Sequence, residues 1–173
     1  MRAVDQRMQS LLAACHLAKF GMNENLLNIY YPLDKGMYKQ YYAGPADGQK
    51  RQRVSEGWMR GKEAYLIVRA HRIFIHLFPG NEDYSRLISV TDLWCFFQAY
   101  VTLYPQDNMT PNRMHYMIEK VRARRLRIMK ECCSCGKPFL LHEEEFTWLP
   151  CAVCEITKTA LTAQNAQQIK AAK

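Results

Sequence analysis

The sequence lacks any apolar segment long enough to act as a secretory signal or to cross a membrane. In its first twenty residues, polar side chains interrupt each short apolar stretch, as in an amphipathic helix. Hydrophobic residues nevertheless make up 49% of the 173 positions, which is enough to build a buried core. We therefore expect a folded, cytoplasmic protein that has no membrane partner.

Signature motifs of common enzyme classes are also missing. The sequence contains no G-x-x-x-x-G-K-[ST] loop for phosphates, no H-E-x-x-H metal motif and no G-x-S-x-G nucleophile turn. His71 and His76 lie five positions apart on a predicted apolar helix, and this spacing does not place two ligands on one helix face. We expect both histidines in the core or at its rim, and we do not expect an enzyme.

Acidic residues are few relative to basic ones. The chain has 16 aspartates and glutamates against 24 lysines and arginines, so its net charge is +8 and its isoelectric point is near 9.2. Such an excess of positive charge favours an anionic partner, with nucleic acid as the first candidate and an acidic membrane surface as the second. A basic surface that only contacts solvent is the alternative interpretation.

The basic residues form two groups. The first lies on a predicted short helix and the loop after it, and its members are Lys35, Tyr38, Lys39, Arg51 and Arg53. The second lies on a predicted long basic helix over residues 112–130, and its members are Arg122, Arg124, Arg125 and Arg127. Both groups could contact phosphates. The first group is equally typical of a short helix that packs one aromatic face inward. The acidic residues at 143–145 could instead pair with these arginines and neutralise part of their charge.

Apolar periodicity and capping signals predict a mainly α fold. The predicted helix starts are Asn23, Asp34, Ser89 or Thr91, and Thr110 followed by Pro111. The two short helices after Asn23 and Asp34 form a helix–break–helix pattern typical of a helix-turn-helix. A longer, largely apolar helix is predicted over residues 58–78.

Five of the seven cysteines are crowded into residues 132–154. Four of them fit two C-x2-C pairs separated by fifteen residues, and these are Cys132, Cys135, Cys151 and Cys154. This spacing predicts one structural zinc ion held by four thiolates, because no coordination position is left open for catalysis. Such a zinc ribbon of some 25 residues depends on the metal for its folding.

The remaining thiols are interpreted differently. Cys133 is the surplus cysteine, because Gly136 after Cys135 suits the chain reversal that a C-x2-C turn requires. Cys15 and Cys95 lie in apolar helical settings and are expected in the core. His142 is a possible substitute ligand, although its position between the cysteine pairs favours an exposed hairpin residue.

We therefore predict a multi-helix domain over residues 1–131 with a helix-turn-helix-like N-terminal part. A C-terminal four-cysteine zinc ribbon follows over residues 132–156, and a polar tail occupies residues 157–173.

Three stretches carry a resemblance to a known family. They are residues 17–42, the segment "VTDLWCFFQAYVTLYP" and, above all, "CCSCGKPFLLHEEEFTWLPCAVC" with its surplus thiol. In these the chain resembles the FlhC family of bacterial transcriptional activators, and most closely the SetC and AcaC type that switches on conjugative-transfer genes. The family's zinc ligands fall on the four cysteines already selected from their spacing.

The resemblance implies a DNA-binding activator. Such a protein acts with a small helical subunit of the FlhD type, in a complex of four small and two large subunits, and recruits RNA polymerase to promoters. The first basic group would then read duplex DNA, and the second would contact phosphates. Two alternatives remain: a zinc-ribbon adaptor that binds only proteins, and an RNA-binding ribbon protein.

Overall fold

Seven α-helices and one two-stranded antiparallel sheet are found in the part of the chain that this computed structural model describes. That part comprises residues 2–42, 56–145 and 150–160, without the side chains of residues 2 and 3. The helices are α1 (Arg2–Lys19), α2 (Glu24–Tyr30), α3 (Lys35–Tyr41), α4 (Tyr65–Leu77), α5 (Val90–Leu103), α6 (Pro111–Arg122) and α7 (residues 152–160). The strands are β1 (Leu126–Met129) and β2 (Phe139–His142). The fold is therefore mainly helical, as predicted.

Side-chain caps fix where the helices begin. The Asn23 side chain accepts a hydrogen bond from the backbone at the start of α2, and the Asp34 carboxylate does the same for α3. Ser89 forms a reciprocal capping box with Asp92 on α5, and the Thr110 side chain caps α6. These predicted helix starts are confirmed.

Helix α4 lies at the centre of the core and contacts both α5 and β2. Its Phe74 ring stacks on Tyr84 with the ring centroids 4.0 Å apart, and it meets Phe96 of α5 edge-on at 5.4 Å. Helix α1 packs on α5 and α3. At its contact with α5, the ring of His16 stacks on that of Trp94 with the centroids 4.7 Å apart. Apolar and aromatic burial of this kind is the main source of stabilisation.

The predicted helix over residues 58–78 begins later than expected. Two short 3-10 turns, Glu56–Met59 and Gly61–Glu63, precede α4, which starts only at Tyr65. Gly61 has a positive φ of 65°, a conformation that breaks a right-handed helix and that glycine adopts without steric penalty.

The predicted helix over residues 112–130 is wrong beyond Arg122. Helix α6 ends there, and Arg124 takes a positive φ of 60° as the chain reverses into β1. Strand β1 pairs antiparallel with β2, with Leu126 opposite His142. The side chain of Leu126 is buried in the core, so sheet pairing and burial override the local helical preference.

The start of α2 is held by a side chain of α6. The Asn112 side chain at the start of α6 accepts a hydrogen bond from the Asn23 backbone at 2.9 Å and donates one to the Gly21 carbonyl at 3.0 Å. The turn between α1 and α2 is therefore tied to α6.

No helix within the described ranges is both long and apolar enough to cross a membrane.

Candidate metal centre

The four cysteines selected from their spacing lie together. Two of them are in the loop between β1 and β2, and the other two are at the start of α7. All four Sγ atoms of Cys132, Cys135, Cys151 and Cys154 are within 4.8 Å of one another. Cys132 and Cys154 are 4.0 Å apart at their Sγ atoms, and Cys135 and Cys151 are 3.9 Å apart. Each of these two contacts joins a cysteine of the first C-x2-C pair to a cysteine of the second.

A short backbone turn shapes the first pair. The Gly136 N–H donates to the Cys132 carbonyl at 2.8 Å, and Gly136 has a φ of 66°, as the sequence predicted. The Cys132 sulfur accepts backbone hydrogen bonds from Ser134 at 3.4 Å and from Cys151 at 3.2 Å. The second of these bonds joins the two cysteine pairs, because the backbone N–H of Cys151 donates to the sulfur of Cys132.

The environment of Cys132 favours its charged form. Burial opposes ionisation, but the backbone N–H groups of Cys151 and Ser134 outweigh it and lower the pKa of Cys132 to about 6. The thiolate is the form of cysteine that binds metal ions. Burial and the neighbouring thiols raise the pKa of Cys151 and Cys154, so without a cation the four thiols do not all favour the charged form.

The geometry fits a metal ion. A tetrahedral centre with metal–sulfur bonds of about 2.3 Å places its sulfur atoms about 3.8 Å apart. Two of the six Sγ–Sγ separations, 3.9 and 4.0 Å, are close to that value, and all six lie within 4.8 Å. Four sulfur ligands would fill a tetrahedral shell, so the centre is suited to a structural ion and leaves no position for a substrate.

Arg72 joins the cluster to the helical core. Its Nη2 atom donates to the Sγ atoms of Cys135 at 3.3 Å and Cys151 at 3.4 Å, and its Nε donates to the Pro138 carbonyl at 3.1 Å. Arg72 was not among the site residues predicted from the sequence. The sequence feature that could have indicated its role is the position of this cation within the otherwise largely apolar pattern of α4.

The predictions for the other cysteines and for His142 have different outcomes. Cys133 is exposed, and its Sγ lies 3.8 Å from the Ser134 hydroxyl, outside the cluster. His142 is buried in β2, so the prediction of an exposed hairpin residue is wrong. Cys95 is exposed on α5 and not in the core as expected, whereas Cys15 is buried as predicted.

The first basic group is divided by the structure. Lys35 and Lys39 are exposed on α3, and neither has a hydrogen-bond or ion-pair partner within the described part of the chain. Tyr38 lies in the core between them, and its hydroxyl donates to the Met22 carbonyl at 2.9 Å. Tyr38 is therefore not part of the exposed surface of α3 from which the sequence predicted a DNA contact. Arg51 and Arg53 lie outside the described residues.

Three of the four arginines in the second group bind other parts of the protein. Arg122 donates to the backbone carbonyls of residues 84 and 86 at 2.9 and 3.0 Å. Arg125 pairs with Glu143 at 2.7 Å, and Arg127 donates to the Glu145 carbonyl at 2.8 Å. The expectation that the acidic residues at 143–145 pair with arginines is confirmed for Arg125.

Arg124 differs from these three arginines. It is exposed at the turn between α6 and β1, and among the described residues no carboxylate or carbonyl partners its side chain. The four arginines therefore do not form one basic helical face.

The fold and the cysteine cluster define a mainly helical protein with a candidate four-thiolate metal centre near its C-terminal end. Comparison with known proteins adds no closer identification. The sequence matches no protein-family model, and a search of curated proteins finds no related sequence.

Proposed function

We propose that the chain is a DNA-binding transcriptional activator subunit of the FlhC type, which acts in the cytoplasm by binding and not by catalysis. The observation that carries this proposal is a net charge of +8 together with exposed cations that no described acid neutralises, among them Lys35, Lys39 and Arg124. Cations of this kind can release counterions from DNA when they contact phosphates, which drives binding.

The metal in this proposal is one structural zinc ion. Four thiolates form a soft ligand set that suits zinc and disfavours magnesium or calcium, and their separations fit its tetrahedral shell. Zinc would hold the two cysteine pairs together and complete a ribbon with the β1–β2 hairpin. It would contribute to folding and would take no part in a reaction.

The DNA-reading element in the proposal is the α2–α3 unit, acting as a helix-turn-helix-like pair. Lys35 and Lys39 are four residues apart and therefore lie on one face of α3. That face is exposed, and the turn before α2 is held by Asn112. A helix fixed in this way can present its cations to duplex DNA with little loss of conformational entropy.

The proposed protein partners are an FlhD-like small helical subunit and RNA polymerase. The first is supported by an apolar stripe on α1, where Val4, Met8 and Leu12 are spaced four residues apart and are 69%, 53% and 53% exposed. Apolar residues at this spacing are the pattern by which one helix docks against another. Conjugative-transfer or flagellar promoters are the proposed targets of the complex.

Chromosomal crosslinking of the tagged chain in its host tests the proposal directly. We expect sharp peaks at a fixed distance upstream of promoters, and their sequences would reveal the operator. Absence of peaks in cells that contain the small helical partner would contradict direct activation.

The salt dependence of binding to the operator tests the role of α3. In the double variant Lys35→Ala, Lys39→Ala we expect the slope of log affinity against log salt to fall by up to about two units. The double variant Lys19→Ala, Lys62→Ala removes the same charge at two other exposed positions and is the matched control. An equal change in both double variants would show that only net charge matters and that α3 is not the contact.

The second candidate function is a protein-interaction adaptor without sequence-specific DNA binding. The observation that favours it is that Arg122, Arg125 and Arg127 all bind other parts of the protein. The adaptor interpretation requires that operator DNA and unrelated duplex compete equally for the complex. Preferential competition by operator DNA would exclude it.

A further inference from the structure

Arg72 occupies an unusual position between the helical core and the cysteine cluster. It belongs to α4, the central helix, and contacts the sulfur of Cys135 from the first pair and of Cys151 from the second. Its Nε also donates to the carbonyl of Pro138, in the segment that leads into β2. One rigid guanidinium group therefore touches both cysteine pairs and the chain between them.

The charge of Arg72 is available to this site. No carboxylate pairs with it anywhere in residues 2–42, 56–145 or 150–160, whereas Arg69, one turn earlier on α4, binds Asp107 through two bonds of 2.8 Å. A divalent ion with four thiolates has a net charge of −2, which is costly to bury without a cation or hydrogen-bond donors. Arg72 supplies both of these.

We propose that Arg72 is a positioning residue of the metal centre. It holds the two cysteine pairs at the separation that a metal requires, and it stabilises the charged centre through N–H···S hydrogen bonds. Because Arg72 lies on the central helix, binding of the metal also stabilises the helical core. This inference rests on the metal centre of the proposed function and does not depend on DNA binding.

The test compares Arg72→Met, which removes charge and donors, with Arg72→Lys, which keeps the charge but loses the fork of donors. The control is Arg69→Met, which breaks an ion pair on the same helix without touching a cysteine. Zinc affinity is measured on the full chain by competition with a chromogenic chelator. We expect a loss of about 10- to 100-fold in Arg72→Met, a smaller loss in Arg72→Lys, and no change in Arg69→Met.

Cobalt substitution supplies a readout that a merely structural role would not change. Hydrogen bonds to a thiolate stabilise its lone pairs, so their loss moves the sulfur-to-cobalt charge-transfer band to longer wavelength. We expect this shift in Arg72→Met and not in Arg69→Met. If Arg72→Met does not fold, the same two measurements on Arg72→Lys decide the question.

The outcomes separate this inference from the proposed function. Wild-type zinc affinity and an unshifted cobalt band in the Arg72 variants would overturn the positioning role and leave the metal centre intact. A wild-type chain that binds neither zinc nor cobalt would overturn the metal centre and the role of Arg72 together. Neither result bears on whether the chain binds DNA.

Discussion

Two cysteines in the same turn should respond oppositely to the same substitution. Cys135 lies in the cluster, with its Sγ 3.9 Å from that of Cys151, whereas the Cys133 side chain is exposed outside it. We expect Cys135→Ser to lose most of its affinity for the metal and Cys133→Ser to retain it. The two variants differ by two positions and make the same change of sulfur to oxygen, so each is the control for the other.

The size of the effect follows from the number of ligands. Structural zinc sites contribute about 12 kcal/mol at neutral pH, so each of four thiolates accounts for about 3 kcal/mol if they share it equally. That energy corresponds to about two orders of magnitude in metal affinity. For Cys133→Ser we expect a change within about 0.5 kcal/mol in the free energy of unfolding, as for other exposed positions.

Native mass spectrometry counts the bound metal, and competition with a chelator gives its affinity. Thermal unfolding with and without the chelator then measures how much the metal stabilises each variant. If Cys133→Ser releases the metal and Cys135→Ser keeps it, the ligand assignment is wrong. If both variants bind the metal with wild-type affinity, the cluster does not bind metal through four thiolates.

Three further results are expected. Arg122→Ala should lower the free energy of unfolding in urea by about 1–3 kcal/mol, because two backbone carbonyls lose their donor. Arg124→Ala should leave that free energy unchanged and reduce the salt slope of DNA binding by about one unit if it contacts a phosphate. Burial, followed by the charge of Arg72, lowers the pKa of His71 to about 4, so the unfolded chain binds more protons below pH 6.5. Stability should therefore fall by up to about 3 kcal/mol from pH 6.5 to pH 4, and His71→Gln should remove this part of the pH dependence in urea titrations.

Features encoded by a few neighbouring residues could be predicted from the sequence. Asn23 and Asp34 cap their helices through bonds to residues two and three positions later, and Gly136 makes its turn through its own φ. The C-x2-C spacing likewise identifies the four clustered cysteines, because each pair is brought together within a single turn. These signals need no knowledge of distant residues.

Features that depend on distant contacts could not be predicted in this way. The residues of β1 have good helix propensity, and only pairing with β2 makes them a strand. His142 is polar and lies between the cysteine pairs, yet β2 is buried along its whole length and packs against α4. Arg72 contacts sulfur atoms 63 and 79 positions away, and no local pattern encodes that separation.

The positions of the arginines change which surface is expected to face DNA. Arg122 holds the loop before α5, Arg125 pairs with Glu143, and Arg127 binds the end of the β1–β2 hairpin. An arginine engaged in this way must leave its protein partners before it can contact a phosphate, which reduces its net contribution to binding. The exposed lysines of α3 have no such partners among the described residues, so DNA bound through α3 would leave the hairpin and the metal centre undisturbed. Loss of the metal should then weaken DNA binding only as far as it unfolds the helical core. The loss of DNA binding and the unfolding of the core should therefore depend on chelator concentration in the same way.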